Sequence, residues 1–183
     1  MVFSREIERK FTLKDTTYED AHNTLSCLSR CIINASSFDT YWKAYGVDFV
    51  RLRDNSREIT VKVTDKHTVV DRIEENVEVV KESMPAAARF LTLLLGPPAM
   101  KITKRFSVFE VSSSPAPGTE VKAILCLYVV EEDPRKRIFF EVEAESLAIV
   151  DYVLRDIIPK EGFNLKKETS SLFQIFHKKV KAA

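Results

Sequence analysis

Apolar and polar residues alternate along most of the chain, and a period of two predicts β-strands. Such stretches lie near 3–13, 32–42, 48–54, 57–64, 68–80, 101–111, 119–130, 136–145 and 168–176. Three segments break the alternation with helical spacing. Thr16-Thr17-Tyr18-Glu19 has capping-box spacing, and Tyr18, Ala21, Leu25 and Leu28 follow at intervals of three to four. Ser83 and Pro85 open an Ala/Leu-rich run that Gly96 stops. Ser146 opens a third helix, with Leu147, Val150, Val153, Leu154 and Ile157 on one side and Pro159 beyond its end. Turn residues predict a loop over Ser112–Gly118.

Eight or nine strands with three helices predict an α+β protein, one domain over 1–183, built on a large antiparallel sheet or barrel. Asp54-Asn55-Ser56 joins two adjacent strands as a hairpin. Side chains at i and i+2 share a strand face, ~6.5–7 Å apart. Glu6, Glu8 and Lys10 therefore oppose Ile7 and Phe11, and Glu141, Glu143 and Glu145 oppose Phe140 and Val142. Arg51 and Arg53 alternate with Val50 and Leu52, and Thr60 and Lys62 with Val61 and Val63. Arg72, Glu74, Asn76 and Glu78 form a further charged row.

A half-buried sheet with a solvated charged face would produce such rows. Two features favour inward-facing charge instead. The signs are segregated, whereas a solvated face mixes them because neighbouring like charges repel. The helices also need apolar faces to cover, which turns the charged faces toward the inside of a barrel.

Composition narrows the chemistry. The 183 residues include 28 Lys+Arg and 27 Asp+Glu, a net charge of +1. That balance argues against a nucleic-acid arm or a polybasic membrane anchor. The 4 glycines form neither a G-x-G turn nor a P-loop, so any phosphate must be held by side chains. Cys27, Cys31 and Cys126 suggest buried free thiols, and His22, His67 and His177 are too scattered for an imidazole metal site. No signal peptide opens the sequence, and the apolar run Phe90–Leu95 is too short to span a bilayer. The expectation is a cytoplasmic protein.

Two facing E-x-E strands would hold a hard cation such as Mg²⁺ or Mn²⁺. Arg51 and Arg53 suit bidentate phosphate contacts, and Lys10 and Lys62 suit point-charge contacts.

Taken in order, these segments resemble the CYTH superfamily, also called triphosphate tunnel metalloenzymes. Glu6-Ile7-Glu8-Arg9-Lys10-Phe11 resembles its E-x-E-x-K signature, and Asp39-Thr40-Tyr41-Trp42 its D-T-Y-Y segment. Arg51-Leu52-Arg53, Thr60-Val61-Lys62, Arg72-Ile73-Glu74, Lys104-Arg105-Phe106 and Phe140-Glu141-Val142-Glu143 are similar to the strands that follow. Thiamine-triphosphatase-like members are the most similar in feel. The resemblance implies an eight-stranded antiparallel tunnel with metal on Glu6, Glu8, Glu141 and Glu143. It implies triphosphate on Lys10, Arg51, Arg53, Lys62, Arg105 and Lys167, with Glu74 orienting groups or a metal-bound water.

The implied reaction is metal-dependent hydrolysis of thiamine triphosphate, tripolyphosphate or a nucleoside or RNA 5′-triphosphate, by a monomer or homodimer. A class IV adenylyl cyclase and a non-catalytic polyphosphate or nucleotide binder are the alternatives. The sequence departs from the family at Lys43, at Tyr128 and at the Lys166-Lys167-Glu168 segment. An acid is usual at the first, a metal-site acid on the strand that carries the second. Trp42 and Tyr45 are candidates for the tunnel mouth or for packing.

Overall fold

A computed structural model describes residues 4–64, 71–116, 119–158 and 163–180. The elements run β1 (Ser4–Lys14), α1 (Tyr18–Leu28), β2 (Arg30–Trp42), β3 (Phe49–Arg53), β4 (Glu58–Thr64), β5 (Asp71–Glu78) and α2 (Met84–Leu95). They continue as β6 (Met100–Ala116), β7 (Thr119–Val130), β8 (Ile138–Ala144), α3 (Leu147–Tyr152), β9 (Asn164–Glu168) and α4 (Leu172–Val180). The α+β class holds. The strands form one sheet in the order β5-β4-β3-β2-β6-β7-β8-β1-β9, with a further pairing of β5 with β1. The sheet has nine strands where eight were expected, β9 being the addition beside β1.

The helix starts follow their caps. Thr17, not Thr16, caps α1 and accepts from the Asp20 amide, so the helix cap lies one residue later than expected. Ser146 caps α3 through the Ile149 amide, and α3 runs on as a π-helical turn over Val153–Ile157. Gly96 ends α2 at φ 85°, a left-handed value suited to glycine.

The C-terminus departs from expectation. Residues 168–176 are not one strand: β9 ends at Glu168 and α4 begins at Leu172. Ser171 and Gln174 cap each other's backbone amides, and Leu172, Phe173 and Phe176 are buried at helical spacing. The expected loop from Ser112 is largely strand, because β6 reaches Ala116 and β7 resumes at Thr119. Cys27 and Cys31 are exposed rather than buried.

The chain divides into two compact units of interleaved sequence. The first comprises Met1–Arg5, Ser36–Lys104 and Ser170–Ala183. On one side of its sheet, Trp42, Val50 and Leu52 pack with Leu91 of α2. On the other side Phe173 of α4 stacks on Tyr41 (6.0 Å between centroids) and meets Phe49 at the same separation. Trp42 is therefore core, while Tyr45 is fully exposed.

The second unit comprises Glu6–Ala35 and Arg105–Thr169. Its core joins Phe11 and Leu13 of β1, Leu125 and Leu127 of β7, and Phe140 and Val142 of β8 with Leu25 of α1 and Val150 of α3. In the second unit the helices cover the apolar face; in the first, α2 covers the apolar face, while α4 packs on the face that also carries Arg51 and Arg53.

Candidate functional site

In the second unit, strand register builds a carboxylate cluster. Glu8 lies opposite Glu143 and Lys10 opposite Glu141 in the β1–β8 ladder, so the four share a face. Cys126 and Tyr128 of β7 lie opposite Glu141 and Phe139 on that same face. Lys10 Nζ sits 2.9 Å from Glu141 Oε1 and 3.5 Å from Glu8 Oε1, with the Lys10 and Glu8 side chains each 5% exposed. The Tyr128 hydroxyl donates to Glu141 Oε1 at 2.7 Å. Burial, then the Glu141 charge, pushes the Tyr128 phenol well above its usual range, so it stays protonated as a donor.

In the first unit the charged face is cationic but compensated. Arg51, Arg53, Thr60, Lys62, Glu74 and Asn76 meet through the β3–β4 and β4–β5 registers, with Asp39 and Tyr41 joining from β2. Asp39 is wholly buried. Arg53 grips it with Nε and Nη2, each at 2.8 Å; Lys104 Nζ lies at 3.3 Å, and the Tyr41 hydroxyl donates at 3.4 Å. Lys62 pairs with Glu74 at 2.8 Å. Arg51 Nη2 donates to Thr60 Oγ1 at 2.7 Å and lies 3.8 Å from Glu74. Arg51 Nε is buried with no acceptor. The rows read as purely cationic in sequence therefore carry their own carboxylates.

The Arg51, Lys62 and Glu74 side chains are only 12–13% exposed, which excludes an ordinary solvated charged face. Burial opposes ionisation of Asp39, but Lys104 and Arg53 outweigh it and hold the carboxyl well below its usual range. Burial likewise opposes, and Lys62 and Arg51 overcome, so that the Glu74 pKa is lowered. A carboxylate with a depressed folded-state pKa adds stability above its unfolded value and loses it as pH falls toward the folded one. These pairs are thus fully stabilising above the ordinary values of 4.5 for Glu74 and 3.8 for Asp39. Urea unfolding across pH should show a flat contribution from pH 7 to 5 and a steep fall below about 4.5. A profile equally steep in Asp39→Asn and wild type would contradict this.

Two sequence-predicted residues do not join these clusters. Arg105 is on the face of Phe109 and Val111; it is exposed, pairs with Glu19 at 2.8 Å and lies 4.1 Å over the Tyr18 ring. Its neighbour Lys104 turns the other way and takes the place expected of it. Lys167 is exposed and sits opposite Phe11, whereas Lys166 and Glu168 lie opposite Thr12 and Lys10 on the charged face. The Glu6 and Arg72 side chains lie outside the described residues. Of the three acids after β7, Glu131 and Glu132 are exposed, and Asp133 is held by Arg137 at 2.7 Å and closes the turn before β8. Asp39, Lys104, Tyr41 and Tyr128 were not among the expected site residues. The available signal was the parity of Arg105 with Phe109 and Val111 of the apolar core, which turns it away from the charged face.

Among the described residues no three acids, cysteines or histidines are grouped closely enough to hold an ion alone. The donor chemistry nevertheless fits a hard cation. Glu8, Glu141 and Glu143 offer oxygen donors on one face, and an ammonium already bridges two of them as a cation would. Such sites use few carboxylates and complete the shell with water and substrate phosphate. No helix among the described residues is long and apolar enough to cross a membrane.

No family model and no curated protein sequence matches the chain. Solved structures do. The PH1819 protein of Pyrococcus horikoshii OT3 matches with TM-score 0.68 and 18% identity, over 95% of this chain and 99% of that one. HpAC1 of Hippeastrum, an adenylyl cyclase candidate with a dominant triphosphatase activity, matches with TM-score 0.67 and 14% identity, over 95% and 96%. The adenylate cyclase candidate bh2851 of Bacillus halodurans matches with TM-score 0.56 and 16% identity, over 96% and 99%. At these identities the likeness is one of fold.

Proposed function

We propose that this chain is a triphosphate tunnel metalloenzyme of the CYTH superfamily that hydrolyses a triphosphate with Mg²⁺ or Mn²⁺. The fold shared with HpAC1 supports the reading. The observation that carries it is the buried cationic face of the first unit, where Arg51 keeps an unsatisfied Nε. A buried donor without an acceptor is costly unless a ligand supplies one, and a phosphate oxygen is a natural acceptor.

In this reading Arg51, Arg53, Lys62 and Lys104 bind the polyphosphate. Asp39 and Glu74 orient them before substrate binds, through the short contacts given above. Glu8, Glu141 and Glu143, with Glu6, would hold the metal, which supplies Lewis-acid polarisation of a phosphoryl oxygen. Lys10 neutralises Glu8 and Glu141 and becomes a phosphate contact when the substrate arrives. Phosphoryl transfer needs little covalent chemistry from the protein, so positioning and charge neutralisation suffice. Arg105 and Lys167 have no role in binding.

A product-resolved substrate panel with Mg²⁺ and Mn²⁺ tests the assignment. Tripolyphosphate and thiamine triphosphate should release phosphate, and ATP should give ADP and phosphate. Cyclic AMP with pyrophosphate would establish the cyclase instead. Metal-dependent binding without turnover would establish a binder.

A further inference from the structure

Tyr128 stands on the strand where the family resemblance leads one to expect an acid, and its ring is not merely filling space. It is 1% exposed and stacks on Phe139 with centroids 5.2 Å apart and planes 14° from parallel. Its hydroxyl reaches Glu141 Oε1, the same oxygen that Lys10 Nζ approaches. Two donors thus converge on one carboxylate oxygen from the two strands that flank β8, namely β7 and β1. A carboxylate held in this way cannot turn freely about its terminal torsion, and its Oε2 becomes the oxygen available to a further cation.

We propose that Tyr128 is a positioning residue that fixes Glu141 so that Oε2 is presented to the divalent cation, and so sets metal affinity. This rests on the proposed metal role of Glu141. Without the phenol, Glu141 can rotate to offer both oxygens to Lys10, and a metal must then displace a tighter ion pair. Partners of this kind, one bond removed from the metal, change affinity by roughly 10–100-fold when lost. Tyr128→Phe is the appropriate variant because the ring and its stacking on Phe139 remain.

The experiment measures Mn²⁺ binding directly, by the loss of the free-ion electron paramagnetic resonance signal, in wild type, Tyr128→Phe and Glu141→Gln. Tripolyphosphate binding without metal is measured in parallel by calorimetry, and circular dichroism checks the fold. For Tyr128→Phe the Mn²⁺ dissociation constant should rise at least about 10-fold. Metal-free tripolyphosphate affinity should not change. Phosphate release at saturating Mn²⁺ should stay within about twofold of wild type, so the loss falls on the metal activation constant rather than on kcat. Wild-type Mn²⁺ affinity in a folded Tyr128→Phe, with weakened binding in Glu141→Gln, would overturn the Tyr128 role and leave the metal role of Glu141 standing. Equal Mn²⁺ binding in wild type and Glu141→Gln would overturn both.

Discussion

Replacing Asp39 with Ala should lower the stability of the protein by about 3–5 kcal/mol, the largest single-residue loss expected outside the apolar cores. Asp39 has no exposed surface, and it is the shared counter-ion of Arg53 and Lys104, which are themselves mostly buried. Its removal takes a shared buried carboxylate from the Arg53 guanidinium and the Lys104 ammonium, and breaking a buried ion pair by removing one partner costs more than the pair contributed. A loss of this size corresponds to a fall in Tm of about 10 °C for a chain of this length. Polyphosphate should partly reverse it, because an anion bound by Arg53 and Lys104 replaces the missing charge and stabilises by mass action. Thermal melts of Asp39→Ala with and without millimolar tripolyphosphate test both parts. A Tm within a degree of wild type, or no larger ligand shift than wild type shows, would contradict the role given to Asp39.

Some of this organisation is legible in the sequence because strands obey a strict two-residue rhythm. Glu8, Lys10, Glu141 and Glu143 share a face because each alternates with a large apolar residue that the helices cover. The same rhythm explains the pairing of Arg51 with Thr60 and of Lys62 with Glu74. It fails where one step decides between two basic neighbours. Lys104 and Arg105 are adjacent, so composition cannot choose between them, and Lys104 keeps step with buried Ile102 and Phe106, so the apolar–polar rhythm gives no clear sign that it is the one on the charged face. Lys166 and Lys167 pose the same problem, and the β1–β9 register sets Lys167 against Phe11.

The C-terminal helix was misread for a different reason. Leu172, Phe173 and Phe176 also tolerate a strand reading, while the reciprocal Ser171–Gln174 cap that starts α4 spans only four residues. Asp39 and Tyr128 were undervalued because their importance lies in what they hold. Two cations reach Asp39, and Tyr128 reaches one oxygen of Glu141. Such contacts depend on tertiary placement, which no short motif records.

Glu143→Gln should reduce metal-dependent phosphate release by at least about 100-fold, a loss comparable with or larger than that from partners one bond removed from a metal. Glu143 lies directly across from Glu8, and like charges in that register repel. Removing one of them should therefore leave Tm unchanged or raised while activity is lost. That combination separates a catalytic loss from unfolding, because a site residue placed for function often costs stability.

The most direct test of the central claim is phosphate release from tripolyphosphate by purified wild-type protein and Glu143→Gln, with Mg²⁺ or Mn²⁺ and with chelator. The account predicts turnover by wild type with metal, none with chelator, and a loss of at least about 100-fold in a Glu143→Gln protein that melts no lower than wild type. Equal rates for the two proteins, or turnover that persists in chelator, would contradict it.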